Sequence, residues 1–307
     1  MKLTIVLVNF KSNKEKLQSC LNSIRINTEV LLVDHSHDFT FEGIKKPQNL
    51  EIRIIKNINL GNGAGINCGV LNAKTRYVLY LDIDTELPSK FFENLDIAVK
   101  KIDNFAIIAP NTNDIYNESS IKKTGNLNIY QFFYNKFFFK SKLEKNVYPN
   151  ITEQFFVSGS IMLIDKYNTY DEGIKFDENI FLFFEENDFF HQCLKKNKKI
   201  YLIEDLEAYH WGGSVNDITI KYECFKKWHW EWSKYYFFNK HYNKVIIFFI
   251  AMKSIFKFSL KALFFYFFDK NKNKIYRSRL NGILSFYLKR EKILLSLIHI
   301  SEPTRPY

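Results

Sequence analysis

The sequence predicts an α/β fold: a doubly wound, mostly parallel sheet, followed by a basic helical region. Three observations carry this. Short apolar runs alternate with amphipathic stretches over the first hundred residues, which is the pattern of strands joined by crossover helices. Acidic residues close two of those runs, and open parallel sheets take ligands outside the carboxyl ends of their strands. After Lys221 the texture changes and becomes aromatic and basic.

The elements follow in order. "MKLTIVLVNF" is an apolar run around one lysine. It is too short for a signal peptide and has no small-residue cleavage site, so 3–8 reads as the first strand. Further strands are expected at 30–33, 51–55, 77–81 and 105–109. Helices fit 13–26, 63–73 and 88–101, the last with Pro88 early, where its missing N–H costs nothing. Asp34 follows the second strand, and Asp82 and Asp84 close the fourth, so these acids are expected along one edge. Residues 111–150, polar and then aromatic ("YQFFYNKFFFK"), read as a variable insertion. A second patterned block follows. "QFFVSGSIMLID" (154–165) reads as a strand, "FFEENDFFHQCLKKN" (183–197) as a loop leading into a helix, and "KIYLIEDLEAYH" (199–210) as one or two strands. No internal repeat is visible.

Composition bounds the rest. With 307 residues, 46% hydrophobic and 25% charged, the chain can build a substantial core. Cys20, Cys68, Cys193 and Cys224 lie far apart without a CxxC, which suits reduced thiols in a cytosolic protein better than a zinc site or disulfide framework. The net charge of +11 is uneven. Residues 1–220 hold 26 Lys/Arg against 28 Asp/Glu, whereas 221–290 hold 16 against 3. The basicity therefore belongs to a second region, 221–290, and describes that region's partner.

Within it, "VIIFFIAMKSIFKFSLKALFFYFF" (245–268) is long enough to span a bilayer. Lys253, Lys257 and Lys261 would each cost about 2.5–3.5 kcal/mol near the bilayer centre. Their spacing of four puts them on one helical face. That is the pattern of a helix lying in the interface of an anionic membrane, with a core-packed amphipathic helix as the alternative. No nucleic-acid recognition motif accompanies the basic patch, so nucleic acid is not an expected partner. The end, "LSLIHISEPTR" (Leu295–Arg305), reads as the in-frame translation of a transposon-type sequencing adapter. Residues 295–307 are set aside from the fold on that ground.

The chemistry starts at "YVLYLDIDTEL" (77–87). Two acids at i and i+2 either share one side of a continuing strand or fan around a turn. Both arrangements let them approach one divalent cation, and Mg²⁺ favours hard oxygen ligands and substrate phosphates. A DxD pair alone also marks many solvated strand ends. Upstream, "NINLGNGAGINCGVLNA" (57–73) gathers four glycines about a helix start. A dinucleotide fingerprint starting at Gly61 needs glycine at 66, which is Ile66; starting at Gly63 it needs glycine at 68, which is Cys68. No GK[ST] follows, so neither a nicotinamide site nor a P-loop is present. Backbone N–H groups at the helix start can still face a nucleotide.

Taken together, "VNF" (8–10), "LLVDHS" (31–36), "NLGNGAGIN" (59–67), "LDID" (81–84), "VSGSIMLI" (157–164), "FLFFEENDFF" (181–190) and "AYHWGGS" (208–214) resemble, in order and spacing, the family 2 glycosyltransferases. The likeness is greatest to the bacterial rhamnosyltransferase-like branch that builds surface polysaccharides. It covers about residues 3–215, and "SKYYFFNKHY" (233–242) is similar to that branch's following region.

The resemblance implies a GT-A fold, a dTDP- or UDP-linked sugar donor, and a lipid-linked or polysaccharide acceptor. It implies that Asp34 bonds the pyrimidine base and that Asn59, Gly61, Gly65 and Asp82 line the nucleotide. Asp84, His210 and Asp82 would hold Mg²⁺ or Mn²⁺. Glu186 would be the general base, flanked by Glu185 and Asp188, and Ser158, Gly159 and Trp211 would meet substrate. A carboxylate in reach of an acceptor hydroxyl takes its proton as the new bond forms. Three clustered acids would raise one another's pKa. Without the motif order, "EEND" is simply an acidic helix start favoured by the helix dipole. The chain departs from the family at His35, commonly Asn; at Glu186, commonly Asp; and at Asn62, often aromatic. The implied place of work is the cytoplasmic face of the plasma membrane. Two rivals remain at this point, a nucleotidyltransferase on a similar fold and a non-catalytic carbohydrate- or membrane-binding protein.

Overall fold

In a computed structural model of the chain, residues 1–102, 104–114, 150–212 and 219–290 are described. The expected insertion therefore lies outside the described residues except at its two ends, as do Gly213, Ser214 and the adapter-like tail. Contacts divide the chain into two units. A sheet unit comprises 1–57, 65–175 and 189–216, and a helical unit comprises 58–64, 176–188 and the residues from 217 onward.

The sheet unit has nine strands among the described residues: β1 (Leu3–Asn9), β2 (Thr28–Asp34), β3 (Leu50–Lys56), β4 (Tyr77–Leu81), β5 (Thr85–Glu86), β6 (Ile107–Asp114), β7 (Ile151–Glu153), β8 (Ile161–Asp165) and β9 (Ile200–His210). Their order is β3-β2-β1-β4-β8-β6-β9-β5, with β7 paired to β9. β3, β2, β1 and β4 are parallel, β6 and β9 are parallel, and β8 runs antiparallel between β4 and β6. β1 is buried almost throughout. That is why its apolar run does not alternate: both of its faces are covered.

The covering helices are α1 (Lys14–Ser23), α2 (Asn62–Asn72), α3 (Phe91–Lys101) and α4 (Glu185–Lys195). Asn13 caps α1, its side chain accepting from the N–H groups of Glu15 and Lys16. Leu17 and Leu21 of α1 and Phe91 and Leu95 of α3 share one core with Ile5 and Leu7. α2 lies on the opposite face, over Val6 and Val8. Alternate residues of β1 thus feed two helical layers, which is the doubly wound arrangement. A Cβ added at Gly65 would come within 2.7 Å of Val8, and one at Gly69 within 2.3 Å of Val6. These glycines let α2 lie close on the sheet.

The helix expected at 13–26 ends at Ser23, that at 88–101 starts at Phe91 and the strand expected at 105–109 runs Ile107–Asp114; two further differences bear on the site. The run 154–165 is a strand only from Ile161, because Ser158, Gly159 and Ser160 turn the chain beforehand. The two-residue β5 has no hydrophobic signature; it exists because it pairs with the end of β9.

The helical unit contains α5 (Ile220–His241), α6 (Lys244–Phe268) and α7 (Lys270–Tyr287). Each starts at a side-chain cap, from Thr219, Asn243 and Asp269 in turn. Tyr235, Ile247, Ala251, Phe258 and Ile283 form the core of this hairpin-like stack. Gly282 brings α7 against α5, since a Cβ there would lie 2.4 Å from the Trp228 carbonyl. Glu231, fully enclosed, is neutralised by Arg279 at 2.8 Å and by Lys234. Among the described residues, no helix is long and apolar enough to cross a membrane.

Candidate functional site

The parallel register sets Asn9 beside Asp34 at the ends of β1 and β2, while Leu7 pairs with Leu81 at the end of β4. Asp34, Asn9 and Asp82 therefore stand along the carboxyl edge of the sheet. Asp34 is 0% exposed. Its Oδ1 accepts from Asn9 Nδ2 (2.8 Å), Ser36 Oγ (2.6 Å) and Ser36 N (3.1 Å), and its Oδ2 from Phe39 N (3.2 Å). Burial would raise its pKa, but these hydrogen bonds more than offset that and hold it below the usual carboxylate range. This enclosed carboxylate, with four internal donors, shapes the 35–39 loop.

After β4 the chain turns. Thr85 closes the turn, donating through N (3.1 Å) and Oγ1 (2.7 Å) to the Asp82 carbonyl. Ile83 is buried in the core, which leaves Asp82 and Asp84 to fan outward on either side of it. Of the two arrangements open to a DxD pair, the chain adopts the turn. β5 then pairs with β9 so that Thr85 faces His210, and Trp211 N donates to the Asp84 carbonyl at 2.9 Å. His210 Nε2 lies 3.2 Å from Asp84 Oδ1 and 3.6 Å from Asp82 Oδ2. One ligand atom from each of the three falls within 4.8 Å of the others. Two carboxylate oxygens and an imidazole nitrogen are a donor set that fits Mg²⁺ or Mn²⁺.

Burial alone would raise the Asp84 pKa; the His210 hydrogen bond and charge, with help from Lys16, bring it below the ordinary value. Asp84 is thus ionised at neutral pH. Tyr80 donates its hydroxyl to Asp82 Oδ1, and Asp82 N donates to the Ser160 carbonyl at 2.8 Å. That second bond brings the Ser158–Gly159 turn beside Asp82. Trp211 is 40% exposed next to His210, and Lys16 Nζ donates to the Gly212 carbonyl. Sequence reasoning missed Tyr80 and Lys16. Tyr80 reads as one more core residue of a strand, and Lys16 as one of several lysines near a helix start.

In the helical unit, Asn59 Oδ1 accepts from Gly61 N at 3.3 Å. Gly61 has φ +114°, and a Cβ there would meet the Phe181 carbonyl oxygen at 2.2 Å. Gly61→Ala is expected to destabilise the chain by more than about 2 kcal/mol, read as a fall in urea midpoint. A Cβ added at Gly65 would also come within 2.9 Å of His35, so the absence of a side chain there serves close helix–sheet packing.

The acids of "EEND" open α4. Two successive residues before them, Phe183 (φ 64°) and Phe184 (φ 67°), are left-handed. Their rings are held against Trp230, each at 5.3 Å between centroids. Glu185 and Asp188 are buried, whereas Glu186 keeps partial solvent contact. Burial pushes the Glu186 carboxyl above the usual range, with desolvation the leading cause. Asp188 is committed elsewhere. Its carboxylate meets His241 Nε2 at 2.6 Å and Lys240 Nζ at 2.9 Å, and Lys240 also reaches Asp177 at 2.7 Å. That geometry makes Asp188 a tie between α4 and the end of α5. Asp188→Asn sets an amide N–H against either the enclosed His241 or the partly exposed Lys240. It is expected to cost about 3 kcal/mol, measured by chemical denaturation.

The model of the family described as glycosyl transferase family 2 matches residues 4–166, more than half of the chain. The chain belongs to glycosyltransferase family 2. No curated protein matches it. Among solved structures, the glycosyltransferase is similar to S. aureus TarS 1–349 in complex with UDP-GlcNAc, at 12% identity over 94% of this chain and 93% of that one, TM-score 0.51. It is also similar to GalNAc-T7 with UDP, GalNAc and Mn²⁺, at 17% identity over 77% of this chain and 49% of that one, TM-score 0.52. At these identities the likeness shows the fold, a mixed α/β GT-A architecture. The protein is an enzyme of sugar transfer from a nucleotide sugar, which removes both rival readings.

Proposed function

We propose that the glycosyltransferase moves a sugar, with rhamnose the first candidate, from a UDP- or dTDP-linked donor to a lipid-linked or polysaccharide precursor of the cell surface. In this reading residues 1–220 carry the chemistry. Residues 221–290 seat the enzyme on the anionic cytoplasmic face of the plasma membrane. The observation that carries the proposal is the Asp82–Asp84–His210 cluster on the carboxyl edge of the sheet, where ligands of such sheets bind. UDP-GlcNAc in TarS and UDP with Mn²⁺ in GalNAc-T7 support a nucleotide-diphosphate donor and a divalent cation here.

Asp82, Asp84 and His210 would hold Mg²⁺ or Mn²⁺, which supplies neutralisation of the charge that builds on a departing diphosphate. Asp82, with the Ser158–Gly159 turn beside it, would bind and orient the donor, and Trp211 would cover the sugar. Glu186 would accept the proton of the acceptor hydroxyl. The acceptor oxygen–C1 bond forms as the C1–phosphate oxygen bond breaks. The nucleoside diphosphate leaves with the electron pair, and attack from the opposite side inverts C1. Asp188, through Lys240 and His241, would fix the first turn of α4 and so the direction of Glu186.

A panel of nucleotide sugars tests this. With Mg²⁺ or Mn²⁺ present, one UDP- or dTDP-sugar is expected to raise the melting temperature and to be hydrolysed slowly without acceptor. If no nucleotide sugar does either, the assignment fails.

A further inference from the structure

We propose that the outer face of α6, led by its aromatic end at 263–268, is the surface that enters the lipid headgroup layer. The proposal deepens the membrane seat suggested above and rests on it.

One side of α6 is already used. Ile247, Ala251, Phe258 and Ala262 are buried, the first three in the core of the helical unit. The opposite side is not covered by the described chain. Phe249, Phe256, Leu260, Leu263 and Phe267 are 51–73% exposed, and at 100° per residue they fall on one stripe. The stripe ends in a knot of exposed rings, with Phe264, Tyr266, Phe267 and Phe268 between 57% and 73% exposed. A contiguous apolar surface of this kind marks an interaction site.

Charge decides what covers it. Lys253 and Lys257 are exposed along one flank of the stripe, and Lys270, Lys272 and Lys274 are exposed just past the aromatic end. Residues 221–290 hold only 3 acids against 16 basic side chains. A second copy seated face to face across a two-fold axis would bring these like charges together. A leaflet containing anionic lipid would accept them, each basic group near the surface adding attraction, while the rings enter the headgroup–acyl boundary.

The structure also revises which lysines serve this end. Lys261 is engaged inside the unit, 3.4 Å from the Tyr276 hydroxyl and 5.0 Å from its ring centroid. It belongs to the α6–α7 contact. Lys253 and Lys257 are the flank.

Full-length protein is sedimented with vesicles of phosphatidylcholine alone and of phosphatidylcholine mixed equally with phosphatidylglycerol. Replacing Phe264, Phe267 and Phe268 by Ser is expected to weaken binding to the mixed vesicles more than about tenfold. Circular dichroism and melting should be unchanged, because all three side chains are exposed. Lys253→Gln with Lys257→Gln is expected to reduce the preference for anionic vesicles while leaving binding to both. Tyr266→Trp supplies a reporter whose emission should shift to the blue when vesicles are added. The proposal is overturned if the triple variant binds like the parent, or if the parent ignores both vesicles. It is equally overturned if the parent is a stable dimer that the triple variant splits. None of these readouts involves sugar transfer, so a failure here leaves the nucleotide-sugar reading standing, and a failure of the sugar panel leaves this one.

Discussion

Replacing Glu186 by Gln is expected to lower sugar transfer by about 10²–10⁴-fold, the range that a positioned acid–base group contributes, with donor binding retained. The substitution keeps shape and removes only proton affinity. Calorimetric titration with the nucleoside diphosphate should be unaltered while transfer to acceptor disappears; loss of both together would place Glu186 in donor binding instead. The pH dependence follows from the raised carboxyl. A base must be deprotonated, so transfer is lost as pH falls through the raised value, and the acidic limb of the rate profile should lie above the ordinary Glu value of 4.5. Stability runs the other way. A carboxyl whose folded pKa is raised favours the fold below its unfolded value and loses that contribution as pH rises through the folded one. At neutral pH, above the unfolded value, Glu186 therefore opposes folding, and Glu186→Gln should raise the melting temperature as it removes activity.

Asp84→Asn is expected to weaken Mn²⁺ binding by at least the 10–100-fold that loss of a ligand's supporting partner brings. Asp84 touches His210 and is nearly enclosed, so the variant loses a ligand oxygen and the partner that orients the imidazole. Titration of Mn²⁺ followed by electron paramagnetic resonance reads this without turnover. His210→Ala should lose less, because both carboxylates remain. Chelation with EDTA should abolish transfer in the parent, and added Mn²⁺ should restore it. If Asp84→Asn binds Mn²⁺ as the parent does, the cluster is not the cation site.

Much of the sheet was legible because its buried strands are unbroken aliphatic runs, and β4 in particular ends where its acids begin. The turn around Ile83 was legible only as one of two options, since a period-two pattern does not distinguish a strand from a corner. The hydrogen-bond wiring was hidden. Nothing in "LLVDHS" shows that Asn9, Ser36 and Phe39 bond the Asp34 carboxylate, because those contacts depend on register and loop course. Gly65 looked like part of a ligand loop, and its actual neighbours, Val8 and His35, are remote in sequence. The alliance of "EEND" with α5 was equally invisible, because Asp188 finds His241 53 positions further along the chain.

The corner at Phe183 and Phe184 has a consequence for how this enzyme can vary. A left-handed backbone costs a non-glycine residue about 1–2 kcal/mol, and an aromatic pair returns about 0.5–1.5 kcal/mol. The two sums nearly cancel, so neither backbone preference nor ring stacking alone dictates the bend. Glycine would relax the main chain and forfeit the clasp on Trp230, whereas a β-branched residue would forfeit the clasp and add crowding. Drift at these two places is therefore hemmed in from both directions, and an exchange at Trp230 would be felt first in the aim of the neighbouring glutamates.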